Sequence, residues 1–195
     1  MSRSRMVRME EEAITVVPSR HDTWRERFRA ERDRLRDCFE AADLAARVER
    51  IEHVGSTAVP GLDAKDIVDC NVVVDGPVPE VSAAIVDRLG GTRYENSDEW
   101  HPVAREANGQ RFNVQVFAVA SDGWKRSVVT REVLRAEPRH REPYERLKKR
   151  LAADQDELAD YSRGKTAFID ALLRRGRESD AVDVGFEVPV PDRAE

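Results

Sequence analysis

The sequence predicts an α+β fold, a mixed β-sheet packed by helices and followed by a helical C-terminal half. Apolar runs at 47–54 and 67–74 end in short turns and are typical of strands. The segment "GQRFNVQVFAV" at 109–119 alternates between apolar and polar residues, as a half-buried strand does. From Gly123 to Gly176 the pattern is helical. An order of strands first and helices later favours α+β.

The remaining elements follow in chain order. A short strand is predicted in "AITVVPSR", and Asp22 is a candidate cap for a helix over 23–43. "VPEVSAAIVDRLGG" predicts a helix that ends at its two glycines, and "TRYEN" and "HPVAR" are candidate short strands. Breaks in the C-terminal helical half are expected near Pro138 and Pro143. The predicted organisation is a flexible leader over 1–12, a single domain over 13–176 and an acidic tail over 177–195.

Composition limits the classes of function. The 195 residues suit one domain, and 40% hydrophobic residues can supply its core. A net charge of −5 gives no argument for nucleic-acid binding, so nucleic acid is not the expected partner. No apolar stretch approaches the roughly 20 residues that span a bilayer, and the basic N-terminus has no apolar signal core. We expect a cytoplasmic protein without membrane contact, and the sequence does not identify a protein partner.

The turn "GST" at Gly55, Ser56 and Thr57 is the first candidate site. It ends a strand, and Asp69 follows at the start of the next apolar run. Glycine lets the backbone approach a ligand closely, and exposed N–H groups in such a turn can bind phosphate. The functional interpretation is a phosphate-binding loop beside a metal-binding carboxylate. The alternative is a tight turn between two strands with an acid at a strand end.

Polar residues on two strands form a second candidate. Side chains alternate along a strand, so Asp69 and Asn71 share one face, as do Arg111, Asn113 and Gln115. If the strands belong to one sheet, these five side chains form a polar patch on an otherwise apolar surface. A solvent-facing side of an antiparallel sheet explains the same pattern.

Lys165 falls on an apolar helical stripe with Leu158, Tyr161, Phe168 and Leu172. A lysine there either reaches to the edge of the apolar face or directs its charge into a cleft that binds phosphate. His53, two residues before Gly55, is a candidate lining residue of the same site. The basic segment 124–150 is either a solvated helical face, which we favour, or the wall of an anion-binding cleft.

The string "EHVGSTAVPGLDAKDIVDCNVVV" resembles the hallmark segment of the GrpB-like proteins, a predicted branch of the nucleotidyltransferase superfamily. The later "YERLKKRLA" and "YSRGKTAFI" resemble that family's C-terminal helical motifs, and the resemblance covers about 14–174. It implies a nucleotidyltransferase-like sheet. By that resemblance Gly55 and Ser56 contact phosphate, Asp69 is the catalytic and metal-binding carboxylate, and Mg²⁺ is the cofactor.

The sequence departs from the superfamily pattern at two places. Asn71 stands where the second metal carboxylate is expected, and Asn113 and Gln115 replace histidines of the family's Arg-Thr-His-His-Leu-His strand motif. Neutral amides bring no charge to a metal site. Three acids elsewhere are candidates to complete it: Asp66, Asp98 and Glu99.

Three functions remain open from the sequence. The first is an enzyme that transfers a nucleotidyl group from an NTP to an unknown acceptor with Mg²⁺, in which Arg111 and Lys165 stabilise the developing charge. The second is a module that binds a nucleotide or another phosphorylated small molecule and has lost transfer chemistry. The third is a scaffold whose helical half binds a protein.

Overall fold

The computed structural model describes residues 15–94, 97–154 and 162–190. Its centre is one five-stranded sheet of β1 (Val48–Val54), β2 (Ile67–Val74), β3 (Thr92–Arg93), β4 (Trp100–Ala107) and β5 (Gln110–Ala118). The spatial order is β1-β2-β5-β4-β3. The β2 and β5 strands run parallel, and the other neighbours are antiparallel. The α+β prediction and the placement of the three predicted strands in one mixed sheet are confirmed.

Helices cover the sheet on two faces. They are α1 (His21–Ala41), α2 (Val78–Leu89), α3 (Asp122–Ala136), α4 (Arg141–Asp154) and α5 (Thr166–Glu178). None of the helices in the described ranges combines the length and the apolar character that a membrane span requires.

The central strand β2 distributes its side chains between two cores. On one face Val68, Cys70, Val72 and Val74 are fully buried against α1 and α2, so Cys70 is a core residue. On the other face Val73 packs with Phe117 of β5 and with Trp124 of α3. This second face, under α3, is the one that carries Asp69.

Several predicted boundaries were wrong for identifiable reasons. The segment around Val17 forms only a single bridge to Ala64, because its partner is a loop and not a strand. The first helix begins at His21, so Asp22 lies in its first turn. Pro143 does not break α4, since it lies in the first turn, where proline is tolerated. The candidate strand at "HPVAR" extends over all of Trp100–Ala107.

The described part of the predicted acidic tail packs on the domain. Val182, Val184, Phe186 and Val188 contact the cores under α3 and α5. Arg50 of β1 lies over the rings of both Trp124 and Phe186. These apolar residues alternate along the sequence, as in a segment that packs with one side on a core, and the prediction of an acidic tail overlooked this pattern. The predicted leader over 1–12, and Leu158 and Tyr161 of the predicted stripe, lie outside the described residues.

Candidate functional site

A cleft of about 920 Å³ opens between the sheet and the C-terminal helices. Its floor is the face of β2, β5 and β4 that carries Asp69, and α3, α4 and α5 contribute its walls. Most of the residues that the sequence proposed for the site line this cleft: Gly55, Ser56, Thr57, Asp69, Arg111, Asn113, Gln115 and Lys165. Its size is within the range of small-molecule sites.

Gly55 lies in contact with the Asp69 carboxylate. It closes β1 with a φ of +70° and a ψ of −171°, a combination that is essentially restricted to glycine. A Cβ at this position would lie 2.4 Å from Oδ2 of Asp69. The glycine is therefore needed for two independent reasons, its backbone conformation and the space that the carboxylate occupies.

Asp69 and Asn113 form the pair on which the predicted polar patch depended. They are register partners in the parallel ladder between β2 and β5. The Asn113 amide Nδ2 donates a 2.9 Å hydrogen bond to Oδ1 of Asp69. The prediction that the two lie on one face is confirmed. Burial raises the pKa of the Asp69 carboxyl, although this hydrogen bond and the charges of Lys165 and Lys65 act in the opposite direction.

Lys148 of α4 holds the turn from the opposite wall. Its Nζ donates a 3.1 Å hydrogen bond to Oγ of Ser56 and a second bond to the backbone carbonyl of Asp63. The side chain is only 2% exposed and lies over the Tyr144 ring. Burial lowers the pKa of Lys148 to about 8, which still leaves the ammonium mostly charged at pH 7.

Three further cations line the cleft around Asp69: Lys65, Arg111 and Lys165. The pKa of Lys65 is lowered to about 8, mainly by burial and also by the charges of Lys165 and Arg111, while Asp69 acts in the opposite direction. Burial also lowers the pKa of Lys165, again opposed by Asp69. Of the two alternatives for Lys165, the structure favours the cleft: Lys165 and the Gly55-Ser56 turn line one cleft, beside the same carboxylate.

Two arginines of α3 fix the backbone on either side of the turn. Arg131 donates a 2.7 Å bond to the carbonyl of His53, and Arg135 donates bonds of 3.0 and 2.8 Å to the carbonyl of Ala58. Part of the basic segment 124–150 thus holds the candidate phosphate loop in place. Lys148, from the same segment, lines the cleft itself.

His53 and Asn71 were predicted to line the site, and the structure places both elsewhere. His53 is the register partner of Cys70, so it lies on the opposite face of the sheet. There it stacks on Phe28 at 4.8 Å and its Nε2 lies 3.0 Å from Oγ1 of Thr57. Asn71 shares the face of Asp69 but is fully buried, and its amide has no hydrogen-bond partner among the described residues.

None of the acids suggested to complete a metal site lies on the wall of the cleft as the described residues define it. Asp66 accepts hydrogen bonds from Arg20 at 2.6 Å and from Trp24 at 2.8 Å. Asp98 and Glu99 are exposed in the turn before β4. Glu106 does line the cleft, but it lies on β4, as the register partner of Arg111 on β5, and is two strands away from Asp69.

The donors around Asp69 do not fit Mg²⁺. Magnesium demands an octahedral set of oxygen ligands, usually with one or two carboxylates. Here the Asn113 amide presents its N–H to Asp69, and the charges that act on this carboxylate are those of Lys65 and Lys165. Within the described ranges, no group of three or more His, Cys, Asp or Glu residues is placed to hold a metal ion.

The sequence prediction missed Lys65, Glu106, Arg126 and Lys148 as lining residues of the cleft. Only Lys148 had a usable signal. It lies four residues after Tyr144 and therefore on the same helical face, and that face is buried. The others depend on how the strands and helices meet, which spacing along the chain does not specify.

Comparison with known proteins gives the same fold and a family. The family model described as "GrpB protein" matches residues 13–175. A UPF0157 protein of Deinococcus radiodurans is 32% identical over 175 residues, which cover 86% of this chain and 85% of the relative. The crystal structure of the conserved protein GrpB from Enterococcus faecalis superposes with a TM-score of 0.69 at 26% identity, covering 83% of this chain and 96% of that one.

More distant structures share the fold alone. The Cid1 poly(U) polymerase superposes with a TM-score of 0.55 at 13% identity, over 76% of this chain and 49% of the polymerase chain. A chain of the GLD-2/RNP-8 complex gives a TM-score of 0.55 at 12% identity, over 86% of this chain and 64% of that one. The sheet and its covering helices are therefore nucleotidyltransferase-like. The match over residues 13–175 shows that this chain belongs to the GrpB family.

Proposed function

We propose that the protein binds a nucleotide or another phosphorylated small molecule in the cleft, without transferring a nucleotidyl group. One observation carries this proposal. Four cations from four separate parts of the chain line one cleft with the Gly55-Ser56 turn: Lys65, Arg111, Lys148 and Lys165.

The electrostatics of these cations favour an anionic ligand. The charge of Lys165 lowers the pKa of Lys65 and of Lys148, as repulsion between like charges does, and burial adds the cost of desolvation. A polyphosphate in the cleft would neutralise several of them at once, while the turn supplies backbone N–H groups and the Ser56 hydroxyl. Asp69 opposes such a ligand, because its charge has the same sign.

Nucleotidyl transfer is the second candidate, and its support is the fold. The sheet is like that of Cid1 and GLD-2, and Asp69 lies beside a Gly-Ser turn. The donors described above lack a second carboxylate next to Asp69. For this reason we give binding precedence over transfer, and we assign Asp69 no catalytic step.

The binding proposal is tested by replacing a cation of the cleft. We expect Lys148→Met to weaken ATP binding by at least tenfold, because one hydrogen bond between charged groups contributes about 1.5–3 kcal/mol. Isothermal titration calorimetry in EDTA measures the affinity. Arg146→Met is the matched control, since it removes a cation from an exposed position of the same helix.

Lys165→Met is an independent second variant, because Lys165 lies at the start of α5 and not on α4. It too is expected to weaken ATP binding, and thermal melting verifies that both variants are folded. Unchanged affinity in Lys148→Met and Lys165→Met, or equal losses in these variants and in Arg146→Met, would contradict the proposal.

A further inference from the structure

Beyond Asn113 along β5, one end of the cleft is lined by rings: Tyr94, Trp100, Pro102 and Phe117. We infer that this end binds a flat heteroaromatic ring, such as a nucleobase, that belongs to the same ligand whose phosphates occupy the cationic end. The inference rests on the proposed function and adds the second half of the ligand to it.

The register of β4 and β5 places the two ends on one continuous surface. Along this surface the cross-strand pairs are Arg111 with Glu106, Asn113 with Ala104, Gln115 with Pro102, and Phe117 with Trp100. Asn113 is the register partner of Asp69, so the two residues lie side by side on β5 and β2. Phe117 lies four residues further, or roughly 13 Å at the rise of a strand. A nucleoside di- or triphosphate can span that separation.

Two of these rings form a flat aromatic surface. The rings of Trp100 and Phe117 stack with their centroids 5.7 Å apart and their planes within 5°. Gly123 of α3 packs against the Phe117 ring, since a Cβ there would lie 2.5 Å from that ring. A preformed aromatic surface of this kind stacks on any base with little loss of entropy.

Polar groups accompany the rings, as recognition of a heteroaromatic edge requires. Gln115 lies beside Pro102 on the floor, and Ser127 and Thr130 of α3 also line the cleft. Two buried atoms in these walls, Nε1 of Trp100 and Oγ1 of Thr130, have no hydrogen-bond partner among the described residues. Unsatisfied buried groups are uncommon, and ring nitrogens and exocyclic groups of a base are suitable partners for them.

Comparison of ATP with tripolyphosphate separates the ring from the phosphates. Both are titrated by calorimetry in EDTA into wild type, Trp100→Leu and Trp100→Phe. We expect wild type to bind ATP about tenfold more tightly than tripolyphosphate, in line with the measured contribution of base stacking. Trp100→Leu should reduce the ratio of the ATP affinity to the tripolyphosphate affinity to nearly one without weakening tripolyphosphate binding. Trp100→Phe should retain most of the preference for ATP.

Val119→Ala is the control, because it shortens an exposed apolar side chain just after β5. A preference that survives in Trp100→Leu would overturn the inference. So would equal binding of both probes to wild type, although the proposed function would then stand. If neither probe binds to wild type, the proposed function and this inference both fail.

Discussion

Replacing Glu31 with leucine is expected to lower the free energy of unfolding by about 3–5 kcal/mol. Glu31 lies within α1 and is fully buried, and its carboxylate is paired with Arg105 of β4 and with Arg34. Arg34 is partly exposed and can turn to solvent. The Arg105 side chain is only 4% exposed, so its charge would remain buried without a compensating carboxylate. This pair joins α1 to the sheet behind the candidate site.

Urea denaturation of Glu31→Leu and of the double variant Glu31→Leu/Arg105→Met measures the effect. The double variant should recover part of the lost stability, because it removes both buried charges together. Glu26→Leu, at an exposed position of the same helix, should change the unfolding free energy by no more than about 0.5 kcal/mol. A loss under 1 kcal/mol in Glu31→Leu would show that Arg105 is neutralised in another way.

Gly55→Ala is expected to lower the free energy of unfolding by about 2 kcal/mol or more and to abolish ATP binding. The positive φ contributes about 1–3 kcal/mol of strain. The Cβ contact at 2.4 Å from Asp69 must in addition displace either the carboxylate or the turn. Movement of the turn separates Ser56 from Lys148, the contact that joins the two walls of the cleft.

Gly61→Ala isolates the conformational part of this effect. Gly61 has a φ of +73°, and a Cβ there would have open space around it. It should lose stability through strain while binding ATP as wild type does. The double variant Gly55→Ala/Asp69→Ala should regain some of the stability that the contact costs. If Gly55→Ala and Gly61→Ala behave alike in both assays, contact with Asp69 has no special importance.

Strand patterns made the sheet predictable. Continuous apolar residues in β2 and strict alternation in β5 identified two strands, and with both in one sheet their alternation predicted Asp69 and Asn113 on one face. His53 could not be placed in the same way. The face of a residue at a strand end depends on the register with the next strand, and Val54, not His53, is the partner of Asp69.

The cations of the cleft were harder to predict than its floor. Lys148 and Lys65 lie 83 positions apart and meet only because α4 packs against the loop that precedes β2. A basic run in a sequence looks the same whether its charges face water or a cleft. In this protein Arg146 is exposed while Lys148, two residues later, is buried. The distinction depends on the tertiary packing of α4.

Metal dependence tests the central claim most directly, since lysines and not a metal ion are proposed to neutralise the ligand. Calorimetric titration of ATP into wild type and Asp69→Asn, in EDTA and in excess Mg²⁺, separates the two possibilities. We predict that wild type binds ATP in EDTA, that Mg²⁺ leaves the affinity unchanged or lowers it, and that Asp69→Asn binds at least as tightly as wild type in EDTA. Binding that requires Mg²⁺ and is lost in Asp69→Asn would contradict this account and favour a metal site at Asp69.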